Sequence, residues 1–198
     1  MSRFLTACIA GLLAGVFSAS TAMAQTQSTR PGANAATGLS FSGNLGGAQL
    51  ERSVNYGAPP NNRPEQGIRY FYSTPKKMVI TVHVYDGGRR VPPGDNNPMV
   101  TEEFMGAVSA AESQVRHAGY TGYERPPAPG TCGFGTVSFR CITYSAVNQS
   151  NARLFTKIMM TGYRDNFLVV QIDWSQARQQ TAADAEAALK GFVTALLQ

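Results

Sequence analysis

Residues 153–174, RLFTKIMMTGYRDNFLVVQIDW, constrain the fold more than any other stretch of this chain. Two apolar, β-rich runs flank a polar turn, Gly162-Tyr163-Arg164-Asp165-Asn166, which is the pattern of a β-hairpin. Leu154, Ile158 and Met160 alternate on the first run, and Leu168, Val170, Ile172 and Trp174 on the second. These rows are expected to share one face, because strand side chains alternate. The opposite rows, with Phe155, Met159, Phe167 and Val169, are also apolar. A hairpin that is apolar on both faces must be covered on both. Two helical patterns elsewhere in the chain can supply that cover.

The first helix pattern opens at Asn97, a capping residue, followed by Pro98, which suits the first helical position. Phe104, Val108, Ala111, Val115 and Ala118 recur at helical spacing, and Gly119 is a stop. The second opens at Thr181 with Asp184 three residues on, in the manner of a capping box. Ala185, Ala188, Leu189, Phe192, Val193 and Leu196 form its apolar stripe. Strands are expected at Gln49–Tyr56, Gly67–Tyr72, Met78–Tyr85 and Val137–Val147. In the third of these Met78, Ile80, Val82 and Val84 form the face to be buried, with Val79, Thr81, His83 and Tyr85 opposite. Tyr120–Gly135, with Pro126, Pro127 and Pro129, is expected to be an irregular surface excursion. The order predicts a single α+β domain over 39–198. Its antiparallel sheet should have about five to seven strands, and two amphipathic helices make it a layered α/β/α sandwich.

Export is expected from the N-terminus. Arg3 precedes an apolar run, Phe4–Phe17, too short to span a bilayer. Ala22-Met23-Ala24 supplies small residues for cleavage after Ala24, so 1–24 should be a removed signal peptide. Cys8 stands at the start of the apolar run, where a lipidated cysteine would follow it. Gln25–Gly38 lacks periodicity and is expected to be a disordered leader. The destination is the periplasm or the exterior. Cys132 and Cys141 would then form a disulfide. Neither a second Cys pair nor a nearby His completes a metal set, and the spacing is not that of a C-x-x-C redox pair. No cofactor is expected, and the mature chain should have no transmembrane segment. Without Arg3, the 17 Lys and Arg fall by one against 12 Asp and Glu. That mild positive charge has no basic stripe, so nucleic acid is not an expected partner.

The element order resembles the Mog1/PsbP-like group of α/β/α sandwiches. The likeness rests on the Met78–Tyr85 strand before the first helix, the Tyr163–Asn166 turn between two long strands, and the C-terminal Ala185–Leu196 helix. It implies an antiparallel sheet with one mid-chain and one C-terminal helix. It leans towards binding or assembly and transfers no functional residue.

Chemistry-bearing residues are sparse. His83 and Asp86 could pair only if Asp86 had left the strand, since residues three apart face opposite ways. His117 suits the C-terminal end of a helix dipole. Glu102 and Glu103 point in different directions on a helix and suit its early turns. Ser138, Ser145 and Ser175 lack a nucleophile-elbow setting, and 130–135, GTCGFG, lacks the lysine of a phosphate loop. Tyr120, Tyr123 and Phe134 fall in Gly/Pro-rich segments, and with Arg89, Arg90 and Arg125 they have the composition of an interface. The expectation is a non-enzymatic binding or assembly protein of the bacterial envelope acting through these loops, its partner a protein or an anionic envelope component. The alternatives are a hydrolase using His83 or His117 in a cleft, and an inhibitor or immunity-like protein. Oligomeric state is not legible.

Overall fold

The structure, a computed structural model, describes residues 37–198. The expected signal peptide lies outside the described residues, as does the leader up to residue 36. Thr37, at the leader's end, is buried, and its carbonyl accepts a hydrogen bond from Arg164 Nη1 at 2.7 Å.

The strands are β1 (Asn44–Leu45), β2 (Ala48–Asn55), β3 (Ile68–Ser73), β4 (Val79–Tyr85), β5 (Tyr120–Glu124), β6 (Gly130–Phe134), β7 (Val137–Asn148), β8 (Arg153–Tyr163) and β9 (Asn166–Ser175). They form one antiparallel sheet in the order β1-β2-β3-β4-β9-β8-β7-β5, with β6 also on β7. Nine strands exceed the expected count. The excess comes from short strands that depend on a neighbour. β1 is a two-residue strand turned back by Gly46 and Gly47. β5 and β6 replace the expected irregular excursion. β7 has twelve residues, long enough for β6 to pair with its first half and β5 with its second. Backbone pairing therefore imposes strand on sequence whose glycines and exposed side chains carry little strand signal.

The expected hairpin is β8–β9. Arg164 and Asp165 form its two-residue turn with φ of 45° and 65°, the left-handed backbone that a type I′ turn requires. Its side-chain rows differ from expectation. Met159 faces Val170, and Met160 faces Val169. Directly opposed residues share a face. Met159 therefore joins Leu168, Val170, Ile172 and Trp174, while Ile158 and Met160 join Phe167 and Val169. The tight turn sets this register, and composition cannot reveal it because both faces are apolar.

Two helices pack on the sheet. α1 (Pro98–His117) is capped by Asn97, whose side chain accepts from Val100 N at 2.9 Å. It buries Val100, Phe104, Val108 and Ala111 against Ile142, Ile158, Met160 and Val169. α2 (Ala182–Leu196) opens with the Thr181–Asp184 capping box. It buries Ala185, Leu189, Phe192, Val193 and Leu196 in the cluster that holds Tyr72, Ile80, Val82 and Ile172. In β4, Ile80, Val82 and Val84 are fully buried and Thr81, His83 and Tyr85 half-buried, as the alternation requires. Cys132 and Cys141 form a disulfide with Cα atoms 6.1 Å apart, tying β6 to β7.

Candidate functional site

α1 lies over β5, β7 and β8. A cleft of about 720 Å³ opens between the helix and strands β2, β3, β4 and β9, and Glu103 of the helix meets the end of β4 at Tyr85. The helix wall is made of Glu103, Gly106, Ala107, Ala110, Ala111 and Gln114. Four of these six carry no side chain beyond Cβ, so the middle of the helix wall leaves the space open, while Glu103 and Gln114 stand towards its ends. Even a Cβ added at Gly106 would meet no atom within 4 Å.

Strand alternation builds the floor. On β3, Ile68, Tyr70 and Tyr72 turn towards α2, which leaves Arg69 and Phe71 in the cleft. On β4 the same rule leaves Val79, Thr81, His83 and Tyr85 there, and on β9 it leaves Gln171 and Asp173. Phe71 stands opposite Thr81, and Thr81 opposite Gln171, so one continuous row crosses β3, β4 and β9.

The β2–β3 end is cationic and aromatic. The Arg52 guanidinium lies 3.6 Å from the Phe71 ring centre, and that of Arg69 lies 5.9 Å from Tyr56. Arg69 Nη2 is 3.3 Å from His83 Nδ1, while the buried Arg69 Nε has no hydrogen-bond partner among the described residues. Among the described residues, no carboxylate pairs with Arg52 or Arg69. Arg63 and Glu65, at the mouth, pair with each other at 3.2 Å and largely exposed.

His83 is held between fixed partners. Its Nε2 lies 2.7 Å from the Gln66 carbonyl, which can only accept. Its Nδ1 faces a guanidinium, which can only donate. The ring is therefore the neutral tautomer with its proton on Nε2. Burial, reinforced by the Arg69 charge, lowers its pKa to about 4, with the Gln66 bond opposing. The ring also stacks on Tyr85 at 4.3 Å.

Carboxylates stand at the other edges. Asp173, at the β9 end, accepts from Thr156 Oγ1 at 2.6 Å and from Gln171 Nε2 at 2.9 Å. Burial raises its pKa, and the two hydrogen bonds oppose that rise. Glu103 accepts from the Tyr85 hydroxyl at 2.9 Å and pairs with Arg89 at 3.5 Å. Burial, with the Glu103 charge beside it, pushes the Tyr85 phenol far above its usual range.

The sequence-named residues fall in several places. Arg89 pairs with Glu103 at the cleft edge, while exposed Arg90 pairs with Asp165 at the β8–β9 turn. Tyr123 is half-buried under α1, its hydroxyl donating to the Glu112 carbonyl at 3.0 Å with Arg116 over its ring. Tyr120 contributes a carbonyl to the same hydroxyl at 3.4 Å, and Arg125 pairs with Glu112 at 3.6 Å. Phe134 packs edge-on against Phe139, in the α2 cluster. So Tyr120, Tyr123 and Arg125 meet at the far end of α1, and Arg89, Arg90 and Phe134 stand apart from them. Asp86 accepts from Gly88 N at 2.8 Å as a turn residue and does not bond His83. His117 is exposed beside the Ser113 carbonyl, and Glu102 is exposed. Among the described residues, no group of three or more His, Cys, Asp and Glu could hold a metal ion, and no helix is long and apolar enough to cross a membrane.

Arg52, Arg69, Phe71, Gln171 and Asp173 escaped the sequence reading. The signal was present as polar or charged residues interrupting rows that otherwise call for apolar cover. No protein-family model matches the chain, and no curated protein is significantly similar to it.

Proposed function

We propose that this is an exported, non-enzymatic binding protein of the bacterial envelope, and that its binding site is the cleft between α1 and strands β2–β4. The observation that carries the proposal is a preformed cleft of about 720 Å³ with two guanidiniums, Arg52 and Arg69, that no carboxylate among the described residues pairs with. That size suits a small organic ligand, and those charges suit an anionic component of the envelope. The Cys132–Cys141 disulfide supports an oxidising destination. The architecture in this proposal is an α/β/α sandwich of the Mog1/PsbP-like kind. Its support is that α1 and α2 take alternate residues of the same strands.

Among the described residues, neither histidine has a Ser or acid as hydrogen-bond partner for the hydrolase alternative, since His83 and His117 bond backbone carbonyls and Arg69. The test uses Ala110→Trp, which places an indole in the cleft from an exposed helix position. A small-molecule extract of bacterial envelopes should raise the melting temperature of the wild type and not of the variant. An equal rise in both, or none in the wild type, overturns the proposal.

A further inference from the structure

We infer that the cleft captures its anion together with a proton: as the anion engages Arg69, His83 takes a proton from solvent onto Nδ1, and capture strengthens in acid. The inference rests on the cleft being the anion-binding site and adds how that site is regulated.

The geometry around His83 leaves one place for an added proton. Nε2 already carries one, donated to the Gln66 carbonyl at 2.7 Å, so only Nδ1 can accept another. Nδ1 lies 3.3 Å from Arg69 Nη2 and is the acceptor that this guanidinium uses. A proton on Nδ1 would set donor against donor and cation against cation. The ring therefore stays neutral while Arg69 lacks a counterion. Burial, and after it the Arg69 charge, hold the ring's pKa down at about 4.

An anion reverses this arrangement. Among the described residues, Arg69 has no carboxylate partner and its buried Nε has no hydrogen-bond partner, so a ligand oxygen is drawn to it. Once an anion holds the guanidinium, its charge offsets that of Arg69, and Nδ1 faces a negative group. A proton on Nδ1 then has an acceptor, and the Nε2–H bond to Gln66 is kept. An opposite charge at such range favours the imidazolium and should raise the ring's pKa to about 5 or above. For a monoanion, the two charges that enter cancel.

Other charged and titratable groups surround the ring. Tyr56, just after β2, stands 5.7 Å away between ring centres, and Tyr85 stacks on His83 while donating to Glu103 of α1. Glu103 is paired with Arg89, and Glu65 at the mouth with Arg63, so both carboxylates are already compensated. Arg52 on β2, over the Phe71 ring, adds a second positive charge for the anion. On β9 the residue directly opposite His83 is Val169. Asp173 stands further along β9, opposite Val79. Burial raises its pKa, so it also takes up a proton in acid and makes the cleft more cationic. The two contributions are separated by His83→Gln, which keeps a donor and does not titrate.

The experiment is a nuclear magnetic resonance titration of the disulfide-bonded protein carrying isotope-labelled histidine. Sulfate is the probe, because it stays a dianion across the range. The chain has two histidines, and exposed His117, outside the cleft, is the internal reference for salt effects. At about pH 5 the His83 ring should be about one-tenth protonated in chloride and about half protonated or more in sulfate of equal ionic strength. Arg52→Met, at an exposed position, should reduce that difference by at least about half. Sulfate affinity, followed by the Arg52 and Arg69 backbone amide resonances, should be about fivefold higher at about pH 4 than at about pH 7.5. His83→Gln, followed in the same way, should lose most of that gain. Amide resonances that respond to sulfate while the His83 ring stays neutral would overturn the coupling and leave the anion site standing. A His83 response undiminished in Arg52→Met would place the anion elsewhere and overturn the inference. A gain in acid retained in full by His83→Gln would assign the effect to Asp173 and also overturn it. Lack of any sulfate response sinks the inference together with the anionic reading of the cleft, while the envelope-extract measurement still decides the cleft itself.

Discussion

His83 makes stability depend on pH in a calculable way. Burial and the Arg69 charge lower its pKa from 6.5 to about 4. Between those values the unfolded chain holds a proton that the folded protein excludes, so stability falls as pH falls. Above about pH 7.5 the effect vanishes, since the ring is neutral in both states. At about pH 5 it amounts to about 2 kcal/mol, and by about pH 4 to about 3 kcal/mol. Asp173 acts in the opposite sense. Its pKa is raised by burial, so the folded state takes up a proton before the unfolded chain does and gains stability as pH falls. Wild-type data alone would mix the two. His83→Gln separates them, because a glutamine amide can still donate to the Gln66 carbonyl and does not titrate. Urea unfolding of both proteins at about pH 7.5 and about pH 5 gives a double difference in which the Asp173 contribution cancels. Wild type should lose about 2 kcal/mol more than His83→Gln over that interval. Parallel losses would mean that the ring accepts a proton where it stands, and the argument for a fixed Nε2–H tautomer would fail.

Two glycine substitutions should act in opposite directions. A Cβ at Gly162 would stand 1.9 Å from the Pro92 carbonyl oxygen, so Gly162→Ala should displace the 86–97 loop and cost about 2 kcal/mol in urea unfolding. Gly106→Ala, in the middle of α1 with open space around it, should stabilise by about 0.5–1 kcal/mol in the same assay. Removing the disulfide with Cys132→Ser and Cys141→Ser should lower stability by about 2–3 kcal/mol, and an unchanged urea midpoint would refute that.

Much of the scaffold is legible in the primary structure. Helix ends are written in local chemistry, which is why Asn97 with Pro98, and Thr181 with Asp184, mark α1 and α2 to the residue. The long strands announce themselves by β-branched and aromatic content, and β4 sorts its faces by simple alternation. The Cys132–Cys141 bridge follows from having two cysteines in the expected mature chain. These features depend on neighbours within a few residues, and that range is what a sequence displays.

The rest depends on partners far away along the chain. β5 and β6 are strands because β7 is long enough to pair with both, and their own residues do not demand it. The hairpin rows were exchanged because a two-residue turn, Arg164–Asp165, set a register that two apolar faces could not disclose. The cleft is the furthest from local reading. Arg52, Arg69, His83 and Asp173 come from four separate strands, and they share a space only because those strands are neighbours and α1 leaves a cleft over them. A residue's place on one strand face is local information. Which helix covers that face, and how far, is settled by packing across the whole sheet.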